Sequence, residues 1–286
     1  MFVVFGASGN TGSVVARTLL ERGKTVRVVA RDVSRVEPLV RAGAEAFAGD
    51  VLDAASVARA LAGAEAAYFL IPPDAKSLSF VARSRKVAEN FAAAVAKSSL
   101  RHGVLLSSVG AHVPEGTGPI VTVHVAESLL RATNVPFTFV RAAYFMDNLL
   151  GFASPIKNDG VLPVFGGGES HPFPMVATRD IGKVAAEELL APAQRTEVVE
   201  LSGPKEYSYV DAATEASKIV GRPVQATPLP LDAIVPTMKS LGASDDFAGL
   251  YREMIAYFGS GKAGFERSGR TARGTTELAD VLRALA

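Results

Sequence analysis

The chain has 286 residues, 48% of them hydrophobic and 21% charged, enough apolar side chain for a large core in one or two domains. Thirty basic residues against 29 acidic ones leave a formal net charge of +1, so no broad basic face marks it for nucleic acid; the absence of cysteine excludes disulfides, thiolate metal sites and cysteine nucleophiles. A core strand opens the chain with no charged and apolar leader before it, and no apolar run is long enough to span a bilayer. The expectation is a cytoplasmic protein, monomer or homodimer, that contacts neither membrane nor nucleic acid and holds no metal.

Residues 1–5 form an apolar, β-prone run that passes into Gly6-Ala7-Ser8-Gly9-Asn10-Thr11-Gly12 and then into a helical pattern over 13–22. A buried strand, a glycine turn and a helix N-terminus in that order let backbone N–H groups and the positive end of the helix dipole hold a pyrophosphate. The second strand, 25–30, ends at Arg31, where an NAD site usually has an acidic residue. Arg31 and Arg35 suit a 2′-phosphate, which favours NADP, while Asp32 directly after keeps NAD possible.

Strands and helices keep alternating, as in a doubly wound parallel sheet. A third strand, 44–48, leads to Asp50, which either presents a carboxylate to an adenine amino group or serves as a turn residue. Asp53 caps a helix to Leu61, and a fourth strand, 66–71, stops at Pro72-Pro73. A helix over 79–97 buries Val87, Phe91 and Val95 and leaves Arg83, Arg85 and Lys86 to solvent. The fifth strand, 103–109, ends in Ser107 and Ser108, hydroxyls at the edge where open α/β sheets bind ligands. His124 and Glu127 stand one turn apart on the next helix, either a carboxylate orienting an imidazole or an exposed pair. A sixth strand, 137–140, runs into Tyr144, counted with the cofactor residues, and Asn148.

The opening GASGNTG, the SSVGAH segment, the run VHVAESLLRATNVPFTFVRAAYFMDNLL and RDIGKVAAEELL together resemble the NmrA-like branch of the atypical short-chain dehydrogenase/reductases over about residues 1–220. That branch holds NADPH-dependent quinone oxidoreductases, triphenylmethane-dye reductases and non-catalytic redox sensors. The resemblance implies a Rossmann-like domain with a smaller C-terminal α+β substrate lobe and an NADP(H) or NAD cofactor. By matching positions it places cofactor contacts around Gly6, Ser8, Gly9, Asn10, Thr11, Gly12, Arg31, Asp50, Leu70, Ile71, Pro72 and Ser107. Residues 1–150 and 176–203 are assigned to the cofactor domain, 151–175 and 204–286 to the lobe.

One departure shifts the chemistry. Most short-chain dehydrogenases use Tyr-x-x-x-Lys, yet none of Tyr68, Tyr144, Tyr207, Tyr209, Tyr251 and Tyr257 has a lysine four residues on. The reading therefore moves to quinone-like acceptors, with His124 giving the proton and Ser107 or Ser108, with Asn148 as a further candidate, holding the oxygen. A non-catalytic NADP(H) sensor and a nucleotide-sugar epimerase are the alternatives.

Within the lobe, 151–174 is expected as a hairpin over the cleft, with Phe165, His171 and Phe173 either walling a pocket or forming core. Asp180 is expected to cap a helix over 181–190, before a strand over 197–201. Ser208 and Asp211 form a capping box. Met238, Phe247, Leu250, Tyr251, Met254 and Phe258, on helices over 232–241 and 245–258, line a flat apolar site or are ordinary core.

Overall fold

The structure is a computed structural model that describes every residue except Pro192. Its opening units alternate strand and helix: β1 (Phe2–Phe5), α1 (Asn10–Glu21), β2 (Val26–Ala30), α2 (Glu37–Arg41), β3 (Glu45–Ala48), α3 (Ala54–Ala60), β4 (Ala66–Phe69), α4 (Phe80–Val95), β5 (His102–Ser108), α5 (Val121–Arg131) and β6 (Phe137–Ala142). The second half adds β7 (Tyr144–Phe145), α6 (Ala153–Asp159), β8 (Val161–Phe165), β9 (Phe173–Val176), α7 (Thr178–Leu190), β10 (Glu197–Ser202), β11 (Glu206–Tyr207), α8 (Tyr209–Val220), β12 (Gln225–Leu229), α9 (Ile234–Ser240), α10 (Asp245–Gly259), β13 (Arg270–Arg273) and α11 (Leu278–Leu282).

Eight strands form one parallel sheet in the order β13-β10-β6-β5-β4-β1-β2-β3. The chain winds outward from β1 through β2 and β3, then crosses to β4 and winds the other way. The strand order therefore reverses between β1 and β4, which opens a crevice at their carboxyl ends. The two-residue strand period sorts the core onto two faces. Phe2, Val4, Val28, Tyr68 and Val140 pack under α1 and α7, while Val3, Phe5, Phe69, Phe137 and Phe139 pack under α3, α4 and α5. Phe69 is the hub of the second face, with ring centroids 5.3 Å from Phe5, 5.0 Å from Phe91 and 5.6 Å from Phe137. A Cβ on Gly182 of α7 would stand 2.6 Å from Val14 Cβ, so this glycine lets α7 approach α1 closely.

A third core, around Met146, Leu149, Leu162, Met175 and Leu278, belongs to the smaller lobe. Here the structure departs from several expectations. Residues 151–174 form no hairpin: a helix intervenes, β8 pairs in parallel with β12, and β9 pairs with β7 and β11. Backbone pairing with distant strands decides this, and local pattern does not encode it. Residues 204–286 do not lie wholly in the lobe, because β13 returns to the edge of the main sheet beside β10. Asp180 caps nothing; it lies buried and accepts from the Thr276 amide and hydroxyl at 2.8 and 2.9 Å, while Asp147 accepts from the Thr178 amide at the start of α7 at 2.8 Å. Arg83 leaves the solvated face to pair with Asp74 at 3.2 Å, while Arg85 and Lys86 are exposed as expected. The Ser208–Asp211 capping box of α8 forms in full. Among the described residues no helix is long and apolar enough to cross a membrane.

Candidate active site

At the β1–β4 crevice the backbone is cut to receive a ligand. Gly6 sits at φ +68°, and a Cβ there would lie 2.4 Å from Leu70 Cδ2 at the end of β4. One on Gly12 would lie 2.4 Å from the Gly6 carbonyl oxygen, so the turn closes only with hydrogen at both positions. Gly9 is the N-cap of α1 and supplies no side-chain cap, which leaves the first amides of a twelve-residue helix to a ligand. Thr11 is fixed from beneath by the buried Tyr68 hydroxyl, which donates to its Oγ1 at 2.9 Å. Ser8, Asn10, Ile71 and Pro72 frame the same crevice by position.

At the end of β2, Asp32 Oδ1 accepts from the Ser34 hydroxyl at 2.7 Å and the Ser34 amide at 3.0 Å, bonds that hold its pKa below the usual carboxylate value. Arg31 and Arg35 are exposed, and their side chains make no hydrogen bond or ion pair among the described residues. One Asp50 oxygen is likewise used in a turn, accepting from the Leu52 amide at 2.9 Å. The glycine cradle, the uncapped helix and the exposed guanidinium groups fit a dinucleotide with a 2′-phosphate. Across the crevice mouth the loop after β4 is bolted to the lobe: Ser244 donates to Ala75 O and Ser77 O at 2.8 and 2.6 Å, and the Phe80 amide donates to Asp246 at 2.7 Å.

The expected catalytic set is split. Ser107, Arg141 and Glu200 stand in one cross-strand row on the α5 face of β5, β6 and β10. There the Ser107 hydroxyl donates to Glu127 at 2.6 Å, and Arg141 donates to both Glu127 oxygens at 2.9 and 2.7 Å and to Glu266 at 2.6 Å. Burial works against the Arg141 charge; the bonds and charges of Glu127 and Glu266 overcome it and hold its pKa above the ordinary arginine value. Glu127 therefore orients no imidazole, and it is buried, not exposed. His124 turns instead to the Ala111 carbonyl, 2.8 Å from Nδ1; a carbonyl only accepts, so Nδ1 carries the proton and Nε2 is left unprotonated in the neutral ring. Ser108 donates to Val109 O at 2.9 Å.

His124, Glu127 and Arg141 line a polar cavity of ≈ 440 Å³. A separate, more apolar cleft of ≈ 510 Å³ opens beside Val109, Ala143 and Tyr144, at the carboxyl ends of β5 and β6. Its walls are Phe165, His171, Phe173, Tyr209, Ile255 and Phe258, with the stretch from Gly261 to Phe265 completing them. The two cavities share no lining residue. His124 thus lines a different cavity from Tyr144 and the aromatic walls, and Ser107 is bonded to Glu127. Of the lipophilic helical set, Phe258 lines the cleft, while Phe247 packs on Phe80 with centroids 5.0 Å apart. Glu266 and Arg267 tie the Gly261–Phe265 stretch down, through Arg141 and through the Arg267 amide, which donates to Glu200 at 2.7 Å.

The profile of the NmrA-like family matches residues 1–266. The chain belongs to the NmrA-like family. Among the relatives in sequence, a (4-alkanoyl-5-oxo-2,5-dihydrofuran-3-yl)methyl phosphate reductase of Streptomyces griseus is 32% identical over 82% of this chain and 78% of its own. An NAD(P)H azoreductase of Xenophilus azovorans is 25% identical over 90% of this chain and 86% of its own. Among solved folds, an NADPH-dependent quinone oxidoreductase of Escherichia coli complexed with NADPH superposes with a TM-score of 0.82 at 19% identity, over 100% of this chain and 99% of that one. Family membership accounts for the cradle and the doubly wound sheet. The aromatic walls draw on β8, β9, α8 and α10, and sequence reasoning missed Tyr209 among them; its one local signal is its place directly after the capping Ser208.

Proposed function

We propose that the protein is an NADPH-dependent reductase that reduces an uncharged, flat, conjugated acceptor of the quinone or enone class. The observation that carries this reading is the aromatic cleft at the β5 and β6 ends, on the side of the sheet edge where open α/β folds bind ligands. Among the described residues no lysine or arginine side chain lines it, so an acceptor bearing phosphate, as the name of the Streptomyces relative specifies, has no counter-charge there.

The residues divide the work by position. Backbone amides from Gly9 to Gly12 receive a pyrophosphate, and Arg31 and Arg35 receive a 2′-phosphate. When bound, NADPH supplies a hydride. Phe165, Phe173 and Phe258 stack on the acceptor and exclude water. Asn148 lies near Tyr144, so it stays with the acceptor side of the site, whereas Ser107 is bonded to Glu127 and His124 to the Ala111 carbonyl.

The test is NADPH oxidation, followed by absorbance, against a panel of quinones and enones, with NADH run in parallel. Rapid oxidation with NADPH preferred is the expected result. Tight NADPH binding with no turnover across the panel overturns it in favour of a cofactor-binding sensor.

A further inference from the structure

Two tyrosines, Tyr144 and Tyr209, stand in the wall of the apolar cleft, and a third, Tyr251, lies near them. Tyr144 lies in β7, Tyr209 opens α8 and Tyr251 lies in α10, so three separate elements bring the rings together. Tyr144 and Tyr209 both line the cleft, and the Phe173 ring stands between them at 5.6 Å from one centroid and 5.3 Å from the other. The Tyr144 phenol lies near Asn148 and Tyr209, with Tyr251 close by. Among the described residues the other titratable groups lining the cleft are His171 and Glu206.

Tyr144 and Tyr209 pack on the same Phe173 ring, so Tyr144 helps to fix Tyr209 in the wall of the cleft, where its O–H can meet a bound molecule. Burial pushes the Tyr209 phenol up to about 12 and raises Tyr144 and Tyr251 as well, so all three stay protonated near neutral pH and act as donors, not bases.

We propose that Tyr209, positioned by Tyr144, binds the carbonyl oxygen of the acceptor and donates to the oxyanion formed on reduction, in the place left by the missing Tyr-x-x-x-Lys pair. The proposal rests on the reductase reading above. When bound, NADPH would supply the hydride and be left oxidised; as the carbonyl electron pair is displaced onto the acceptor oxygen, the Tyr209 O–H would hydrogen-bond that oxygen. Water then protonates the product as it leaves. Tyr209 is the catalytic residue of this step and Tyr144 the positioning residue.

The experiment compares the full-length wild type with Tyr209→Phe and Tyr144→Phe, using NADPH and a series of naphthoquinones of rising reduction potential. Tyr209→Phe is expected to lower kcat about 100-fold with KM changed less than about three-fold, since removing one oxyanion donor acts on the transition state. Tyr144→Phe is expected to lower kcat about ten-fold. The deficit should shrink as the quinone becomes easier to reduce and its oxyanion needs less support, whereas a packing defect would affect every quinone alike. Wild-type kcat in Tyr209→Phe, or an equal deficit for all quinones, overturns the proposal. A second arm needs no turnover: the anion of the hydroxynaphthoquinone lawsone, titrated by quenching of tyrosine emission in a chain without tryptophan, should bind about ten-fold more weakly to Tyr209→Phe. Equal lawsone affinity overturns the donor role even if the wild type reduces nothing, and a silent panel with the expected lawsone difference overturns only the reductase reading.

Discussion

Arg141 grips both carboxylate oxygens of Glu127, from Nε at 2.9 Å and from Nη2 at 2.7 Å, with 5% and 4% of the two side chains exposed. The pair exists because residue 141 shares a β6 face with Phe137 and Phe139, which carries a guanidinium into the plane of the core beneath α5. Removing one partner of a buried pair strands the other charge. Glu127→Ala leaves Arg141 only Glu266, which is 42% exposed, and is expected to destabilise the fold by about 3 kcal/mol. The check is the urea midpoint. Adding Arg141→Met should recover most of the loss, because Glu266 can then be solvated; an unshifted midpoint in Glu127→Ala would contradict the burial argument.

Gly12→Ala tests the cradle. The added Cβ would meet the Gly6 carbonyl at 2.4 Å; Cβ is placed by the backbone and the carbonyl belongs to it, so no rotamer change relieves the contact. The expected outcome is NADPH affinity lowered at least about 100-fold, with a stability loss of about 1–3 kcal/mol that leaves the protein folded at room temperature. Cofactor titration beside a thermal melt reads both. An affinity close to wild type would mean that the turn serves the fold and not the dinucleotide.

Arg31 carries the choice between NADPH and NADH. Asp32 has one carboxylate oxygen, Oδ1, tied to Ser34, whereas the side chain of the exposed Arg31 is engaged by no hydrogen bond or ion pair among the described residues. Arg31→Asp should lower the preference for NADPH over NADH about ten-fold or more by loss of one charge-assisted contact and addition of a repulsive one. Cofactor dissociation constants measured side by side decide it; an unchanged ratio would move the 2′-phosphate contact away from Arg31.

The first β-α-β units were legible because each of their signals is local. The glycine turn, the Asp53 cap and the apolar runs of β1, β2, β4 and β5 each follow from a few consecutive residues. The lobe and the site were less so, because their determinants lie far apart in the chain. Glu127 meets Arg141 and Ser107 through strand register, Asp180 meets Thr276 across 96 residues, and Phe165 pairs with Leu229 only because β8 and β12 align. His124 and Glu127 show the same limit: helical spacing brought them within one turn, and the partners beyond the helix drew them apart.

His102 gives a pH test of the core. It opens β5, is fully buried, and its desolvated ring has a pKa below the ordinary histidine value, so the folded protein keeps it neutral where the unfolded chain begins to protonate it. Above the unfolded value of about 6.5 both states are neutral and His102 contributes no pH dependence. As the pH falls below that value the unfolded state binds one more proton than the folded one, and stability drops by up to about 1.4 kcal/mol per pH unit until the folded pKa is passed. His102→Leu removes this slope while filling the same space with an apolar group. Melting of the wild type and of His102→Leu at about pH 8 and about pH 5 is the measurement, with the wild type expected to lose more of its stability on acidification. Parallel losses in the two proteins would mean that His102 binds a proton in the folded state as readily as in the unfolded chain.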